Sequence, residues 1–266
     1  MTTEATSLEL ATSLEPVGAG IAKVALSPAW WIEGTAYGGY LAALLLRAAQ
    51  AECGQDQRPL SLTVHFISAV RPGPAEVQTR AVSAGRSSST VTATLSQGGS
   101  CRAFAVVAFG RDRGGPLLDE HSMPVGDPPE LSEPLTVRAE VRARFPLHAR
   151  FERRRLAESA RKTFDVGGWI RLSDPQPLDY LSAVTFLDSW VAAATTKVAA
   201  SRMLTLVYFV QFLCPLPLEN ERSRDYALAV FRSGSARDGY AEDDGELWNQ
   251  RGTLLARAQQ VVVIGV

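Results

Sequence analysis

The feature that most constrains the fold of this chain is an order of elements that occurs twice. The apolar face of Leu41–Ala48 predicts a helix, and four predicted strands follow it at 60–70, 75–83, 88–96 and 101–109. A second predicted helix over 178–200 is followed by predicted strands at 203–213, 226–233, 239–242 and 253–264. Short connections such as Gln97-Gly98-Gly99 favour antiparallel hairpins. The sequence therefore predicts an α+β protein in which each of two antiparallel sheets covers one helix.

Local sequence supports the repeat and suggests where it divides. The segment Leu62-Thr63-Val64 is similar to Leu204-Thr205-Leu206, and a pair of prolines follows each of them. Residues 111–134 are rich in glycine, proline and acidic residues, which is typical of a linker. We predict an N-terminal unit over 15–112, a linker over 113–149 and a C-terminal unit over 150–266.

Composition excludes several classes of function. With 46% apolar and 21% charged residues, the 266-residue chain has the make-up of a soluble globular protein. A formal net charge of −1 gives no reason to expect nucleic acid or an anionic membrane as a partner. Residues 1–14 lack the basic and apolar regions of a signal peptide, and no apolar run is long enough to span a bilayer. We therefore expect a cytoplasmic protein.

Metal and cofactor signals are weak throughout the chain. His65, His121 and His148 stand alone, without the spacing of metal ligands. No glycine fingerprint for phosphate binding is present. We predict no metal and no cofactor.

One carboxylate interrupts an apolar face of the second predicted helix. Leu181, Val184, Asp188 and Val191 follow one another at offsets of three, four and three, which is the spacing of one helical face. A carboxylate among core residues is costly unless it is paired or hydrogen-bonded, so Asp188 is a candidate functional residue. The alternative is that Asp188 caps a helix beginning at Ser189.

Three short motifs, in their order and spacing, resemble a known family. They are Tyr37-Gly38-Gly39 leading into a helix, His65-Phe66 ahead of Arg71-Pro72-Gly73, and Trp169-Ile170-Arg171. Together with the repeat, they resemble the bacterial type II acyl-CoA thioesterases over residues 18–264. The resemblance implies a double-hotdog fold, in which two tandem hotdog units each wrap an antiparallel sheet around a central helix. It also implies an acyl-CoA substrate and assembly into a homo-oligomer.

The resemblance implies that three side chains activate and position a water molecule for thioester hydrolysis. Asp188 and Thr205 match the family's aspartate and threonine, and the glutamine falls at Gln259 or Gln260. Strand alternation favours Gln260, which shares a face with apolar residues such as Ala258 and Val262. A carboxylate can take a proton from water, while the other two side chains orient that water.

The same resemblance implies substrate contacts from Gly38, Gly39 and His65. Backbone N–H groups at a helix start are suited to receive the thioester oxyanion. The first unit carries Val107 where the second carries Gln260, so we predict that it is structural and that each chain has one active site. Val207 stands where several family members have an acid after the threonine, which is a departure from the pattern.

Two charged runs each have a plain and a functional interpretation. The basic run 138–162 is either a solvated face or a contact for ligand phosphates. The acidic run 242–246 is predicted to be a hairpin loop, because the alternating ligand pattern of a calcium site is absent.

Rival functions remain open at this point. A hotdog hydratase or dehydratase needs a histidine beside the acid, and none follows His148. A non-catalytic acyl-thioester binding or scaffold protein would keep the fold without the chemistry. A serine hydrolase is disfavoured, because Gly85-Arg86-Ser87-Ser88-Ser89 lacks the second glycine of a nucleophile elbow.

Overall fold

The computed structural model describes residues 7–54, 56–157, 163–200 and 202–265. Its α-helices are α1 Leu8–Ala11, α2 Gly38–Ala51, α3 Ala139–Arg144 and α4 Tyr180–Phe186. Its strands are β1 Glu15–Gly18, β2 Ile21–Leu26, β3 Trp31–Ile32, β4 Thr35–Ala36, β5 Arg58–Phe66, β6 Gly73–Ala84, β7 Ser88–Gln97, β8 Ser100–Gly110, β9 Glu133–Pro134, β10 Phe151–Arg155, β11 Val166–Leu172, β12 Arg202–Phe212, β13 Ala227–Arg232, β14 Ala236–Arg237, β15 Tyr240–Asn249 and β16 Leu254–Gly265.

The predicted repeat is present in the strand order of the main sheet. Reading outward from the central β5–β12 pair, one side runs β5-β8-β7-β6-β2-β1 and the other runs β12-β16-β15-β13-β11-β10. In each half a strand of the main sheet (β2 or β11) precedes the helix, and four strands after the helix occupy the same places in this order: β5, β6, β7 and β8 in one half, and β12, β13, β15 and β16 in the other. Every strand pair of the described chain is antiparallel. The predicted α+β class is confirmed, but the two predicted sheets form one continuous sheet, because β5 and β12 pair at its centre.

The long helix α2 lies inside the curve of the sheet because it is apolar on almost every side. All residues from Gly39 to Leu46 are buried, and α2 packs against β5, β6, β7 and β8. It also packs against α4 from the other half. Two tyrosines fasten α4 at this contact, since Tyr37 Oη donates to the carbonyl of Thr185 (2.5 Å) and Tyr208 Oη donates to that of Val184 (2.7 Å). The main core runs through both halves without a break.

The predicted helix over 178–200 is wrong in its length. Helix α4 begins with a capping box between Asp179 and Ser182 and ends at Phe186. Beyond it, the polar groups find partners from other elements in place of helical ones: Ser189 O accepts from Arg153 and Ala193 N–H donates to Asp243. A short 3-10 turn, Ala193–Thr196, is the only later helical segment before β12 in the described chain. These partners stabilise an irregular backbone, and the periodicity of the side chains does not predict them.

The acidic run 242–246 is not a loop, so that prediction is also wrong. It lies in the middle of β15, between β13 and β16. Its exposed and buried residues alternate, with Glu242 outside and Asp243 inside. An acidic strand is disfavoured by propensity alone, but two neighbouring strands supply its backbone hydrogen bonds.

The remaining predictions about organisation have mixed outcomes. In the basic run, Arg153 and Arg154 donate to backbone carbonyls within the chain, while residues 158–162 lie outside the described residues, as do residues 1–6 of the N-terminal segment. The unit limits at 112 and 149 stay a prediction. No helix within the described ranges has the length and apolar character needed to cross a membrane.

Replacing Leu44 by alanine tests the central position of α2. Leu44 is completely buried, so Leu44→Ala leaves a cavity in the main core and should lower the free energy of unfolding by about 2–5 kcal/mol. Leu117 is 94% exposed, and Leu117→Ala is the matched control that should change it by less than about 0.5 kcal/mol. Urea unfolding followed by circular dichroism measures both, and equal effects would contradict the assignment of α2 to the core.

Candidate active site

Four elements from both halves of the chain meet at one point. Asp188 lies in the turn after α4, Thr205 lies in β12, and Gln260 lies in β16. The fourth element is the N-terminal end of α2, with Gly38 and Gly39. The structure thus brings together the three predicted catalytic residues and two of the three predicted substrate-binding residues.

A chain of hydrogen bonds joins these side chains. Thr205 Oγ1 donates to Gln260 Oε1 at 2.6 Å, and Gln260 Nε2 donates to Asp188 Oδ1 at 3.3 Å. The other carboxylate oxygen, Asp188 Oδ2, accepts from the backbone N–H of Gly39 at 2.7 Å. Gln260 Nε2 also lies 3.5 Å from the carbonyl of Leu187. The orientation of the glutamine amide is therefore fixed by a donor on one side and acceptors on the other.

A β-bulge in β12 orients the Thr205 side chain toward this cluster. Thr205 pairs with Val262 and Val207 pairs with Val261, so Leu206 is an extra residue in β12. Because of the bulge, Thr205 and the buried Tyr208 both face inward although they are three positions apart. Val207, the residue that departs from the family pattern, pairs with His65 and does not line the cavity described below.

Asp188 is a helix cap, but for a different helix from the one that the sequence suggested. No helix begins at Ser189; the carboxylate instead accepts from Gly39, the second residue of α2. The residue at the N-cap position of α2 is Tyr37, whose side chain makes no capping bond. Asp188 therefore supplies from the second half the side-chain cap that α2 lacks in its own sequence.

Burial dominates the electrostatics of Asp188. The carboxylate is enclosed by protein except where it faces a cavity, and burial raises its pKa to about 7. The hydrogen bonds from Gly39 and Gln260 favour the ionised form and oppose this shift, as does the positive end of the α2 dipole. A carboxyl group that titrates near neutrality can serve as a general base at physiological pH.

The glycines at the start of α2 allow this close approach. A Cβ on Gly38 would lie 2.8 Å from Asp188 Oδ2 and 3.2 Å from the ring of Phe66. A Cβ on Gly39 would lie 2.8 Å from the ring of Tyr37. Any side chain at either position would push the carboxylate or the tyrosine away from the helix end.

A buried arginine holds the turn that presents Asp188. Arg153 Nη1 donates to the carbonyl of Ser189 at 2.8 Å, and its guanidinium lies over the rings of Phe151 and Trp190. Its Nη2 contacts His148 Nδ1. Burial and the charge of Arg153 lower the pKa of His148 to about 4, so His148 is neutral and can accept this bond.

A cavity of about 440 Å³ opens beside the cluster. Asp188, Thr205, Gln260 and Gly38 line it. We call its exposed border the rim (Ile67, Val191, Arg202 and Leu204) and its buried wall the floor (Leu41, Val70, Asp243 and Val262). An apolar chain can enter from the rim and displace water from the floor.

Asp243, in the floor, is a functional candidate that sequence reasoning missed. It is 4% exposed, and burial together with the negative charge of Asp188 raises its pKa to about 7. Its position in an acidic run suggested a loop. The available signal was alternation, since Ala241, Asp243 and Gly245 share a face between charged neighbours.

Two candidate residues lie away from the cluster. His65 is exposed on the outer face of β5, opposite Val207 and Phe104, and does not line the cavity. The next residue, Phe66, points inward and lines it. Gln259 lies on the outer face of β16, whereas Gln260 is buried, as alternation predicted.

Comparisons with known proteins give matches along most of the chain. A family model described as the acyl-CoA thioesterase N-terminal domain matches residues 27–110, and one described as the acyl-CoA thioesterase C-terminal domain matches residues 119–264. No curated protein sequence matches the chain significantly.

Three solved structures are similar over almost their whole length. A hotdog-fold protein of unknown function from Alicyclobacillus acidocaldarius is 26% identical, with a TM-score of 0.87 over 97% of this chain and 98% of that one. A protein assigned as a thioesterase II from Thermobifida fusca is 23% identical, with a TM-score of 0.86 over 98% and 100%. Acyl-CoA thioesterase II from Mycobacterium marinum is 19% identical, with a TM-score of 0.76 over 97% and 96%.

These likenesses show that the chain has the hotdog fold. The two domain models together span most of its length, in the order that the internal repeat requires. The protein belongs to the acyl-CoA thioesterase family and is a thioester hydrolase.

Proposed function

We propose that this double-hotdog protein hydrolyses an acyl-CoA to the free acid and CoA, with a water molecule activated by Asp188. The observation on which the proposal depends is a carboxylate with a pKa of about 7, bonded to Gln260 and Gly39 at the wall of an acyl-sized cavity. Assembly into a homo-oligomer and a cytoplasmic location are further predictions of the same hypothesis.

In the proposed mechanism, Asp188 takes a proton from water as the water oxygen attacks the thioester carbonyl. Gln260 keeps the carboxylate oriented, and Thr205 keeps Gln260 oriented, through the hydrogen bonds described above. The C–O bond forms, the tetrahedral intermediate collapses, and the C–S bond breaks. The thiolate leaves with the proton that Asp188 received, which restores the carboxylate.

The N-terminal end of α2 is suited to the charge that develops during attack. Gly39 donates its N–H to Asp188, so this N–H is not available for the substrate contact expected from the sequence. Gly38, the first residue of α2, lines the cavity, and its N–H has no partner within the helix. We assign the oxyanion contact to the Gly38 N–H, where the helix dipole adds to the stabilisation.

The rim and the floor suit the two ends of an acyl-CoA. Arg202 is an exposed cation on the rim and can pair with phosphate groups of the carrier. The floor is apolar apart from Asp243 and suits the acyl chain. The thioester then lies between them, beside Asp188.

The rival hypotheses make different demands on the same residues. A hydratase needs a histidine at the acid, but His148 is bonded to Arg153 and His65 lies on the outer face. A scaffold protein needs the cavity but not the elevated pKa of Asp188. Substitutions at Asp188 therefore separate catalysis from binding.

Asp188→Asn should lower kcat by about 10²–10⁴-fold, because the amide cannot accept the proton of water. The amide oxygen can still accept from Gly39 N–H, so the cap on α2 and the folded structure should persist. Thr205→Val and Gln260→Ala should each cost about 10–100-fold, since these residues position the carboxylate. Release of free thiol from a series of acyl-CoA chain lengths measures all three.

Asp244→Asn is the matched control for this loss of charge. Asp244 neighbours Asp243 in β15 but pairs with Gln259 on the outer face, so its kcat should equal that of the wild type. If Asp188→Asn retains wild-type turnover, Asp188 is a cap alone and the mechanism is wrong.

Activity should depend on pH with an apparent pKa near 7. Below that value Asp188 is protonated and cannot act as a base, so kcat/KM should fall about tenfold for each unit of pH. Above it kcat/KM should reach a plateau, because Asp188 is then fully ionised. Initial rates between pH 5 and 9, with unfolding checked at each pH, test the assignment; a flat profile down to pH 5 would exclude a base of this kind.

Gly38→Ala should reduce activity more than stability. The new methyl group would lie 2.8 Å from Asp188 Oδ2 and displace the carboxylate from the helix end, so we expect a loss of at least about 10-fold in kcat. Gly54→Ala is the control, because a Cβ there meets no atom within 4 Å. Equal activity of the two variants would show that the carboxylate does not need its contact with α2.

A further inference from the structure

Asp243 lies next to the proposed catalytic glutamine in the sheet. It pairs directly with Gln260 across the β15–β16 ladder, and Gln260 pairs with Tyr208 in β12. Directly opposed residues of antiparallel strands project to the same face. Asp243, Gln260 and Tyr208 therefore form one inward row, of which Asp243 and Gln260 line the cavity.

Asp243 has one occupied and one free carboxylate oxygen. Its Oδ1 accepts from the backbone N–H of Ala193 at 3.0 Å, where the 3-10 turn begins. Gln260 donates no hydrogen bond to Asp243, because its amide group is hydrogen-bonded to Thr205, Asp188 and Leu187. Within the described ranges, no group donates to Asp243 Oδ2.

Asp243 lines the part of the cavity that an acyl chain would occupy. Asp243 is 4% exposed, and its neighbours in the floor, Val262 and Leu41, are also buried. The carrier is too large and too polar for the floor and remains at the rim. An unsubstituted acyl chain in the floor has no hydrogen-bond donor, so it would displace water from Asp243 and leave the carboxylate oxygen unpaired.

We propose that Asp243 is a specificity-determining residue, whose free oxygen accepts a hydrogen bond from a hydroxyl group on the acyl chain, so that hydroxylated acyl thioesters are the preferred substrates. The inference rests on the proposed function of the same site. Sites built to bond a substrate hydroxyl discriminate strongly against the analogue that lacks it, because the buried polar group is left without a partner.

The register indicates where the hydroxyl sits on the chain. Neighbouring strands lie about 4.8 Å apart, so Asp243 is one strand beyond the glutamine that orients the base. Because Asp243 lies beside that glutamine, a hydroxyl that reaches it is on a carbon close to the thioester, and the 3-hydroxyacyl series tests this.

The test compares matched substrates and matched variants. The substrates are the 3-hydroxyacyl-CoA and the unsubstituted acyl-CoA of the butyryl, octanoyl and dodecanoyl series. The wild type should favour the hydroxylated member by at least about 10-fold in kcat/KM at the best chain length. Asp243→Leu should abolish that preference, so that the ratio of kcat/KM between the two substrates falls to about one.

Two further variants keep the result interpretable. Asp244→Leu makes the same change on the outer face of β15 and should retain the wild-type preference. Asp243→Asn keeps an oxygen for Ala193 N–H, so the 3-10 turn should stay in place if the leucine variant unfolds. Assayed at about pH 8.5, where Asp243 is ionised, this variant should still reduce the preference several-fold, because a hydroxyl bonds a neutral amide more weakly than a carboxylate.

A wild-type preference below about twofold at every chain length would overturn the proposal, as would a preference that survives in both Asp243 variants. A binding measurement separates this failure from failure of the proposed function. Calorimetric titration of Asp188→Asn with 3-hydroxyoctanoyl-CoA and octanoyl-CoA gives the discrimination without turnover. If no thioester is hydrolysed by the wild type, the proposed function fails, and the calorimetric ratio still decides the role of Asp243.

Discussion

The hydrogen bond between Gly39 N–H and Asp188 Oδ2 is the contact on which the arrangement of the site depends. A helix whose N-cap side chain makes no capping bond meets a carboxylate that burial has removed from most of its water. The two groups stabilise each other, because the helix end gains an acceptor and the carboxylate gains a donor and a favourable dipole. Because α2 belongs to one half and Asp188 to the other, the bond also links the two halves, beside the pairing of β5 with β12.

The groups around this bond explain why the pKa of Asp188 stays high. Tyr37 and Tyr208 stand close to it, but both give their hydroxyl protons to carbonyls of α4 and not to Asp188. Arg153, a buried cation in β10, contacts the same turn, but it donates to the carbonyl of Ser189. No ion pair within the described chain therefore neutralises Asp188. A salt bridge would have lowered the pKa and weakened the base.

The sequence was informative where side-chain alternation and the repeat determined the outcome. Alternation selected Gln260 over Gln259, and the repeat predicted the order of helices and strands in both halves. It was not informative where distant backbone groups determined local structure. The end of α4 at Phe186, the bulge at Leu206 and the outward position of His65 all depend on partners from other strands. The inward position of Asp243 was legible from alternation, but the density of charge around it favoured a loop.

The asymmetry between the two helix ends explains why a folded repeat has its candidate catalytic cluster at one end alone. Helix α4 begins with its own capping box, in which Asp179 and Ser182 satisfy each other's backbone groups, so its N-terminal end does not need a carboxylate from elsewhere. Helix α2 lacks such a cap, and the turn after the short α4 delivers Asp188 to it. The reverse contact does not form. Helix α2 has 14 residues and continues past the position at which α4 ends, so the first half has no equivalent turn that presents an acid to α4. The first half is thus more than a structural support: it contributes the helix end, the second half contributes the carboxylate, and neither half contains the proposed site by itself.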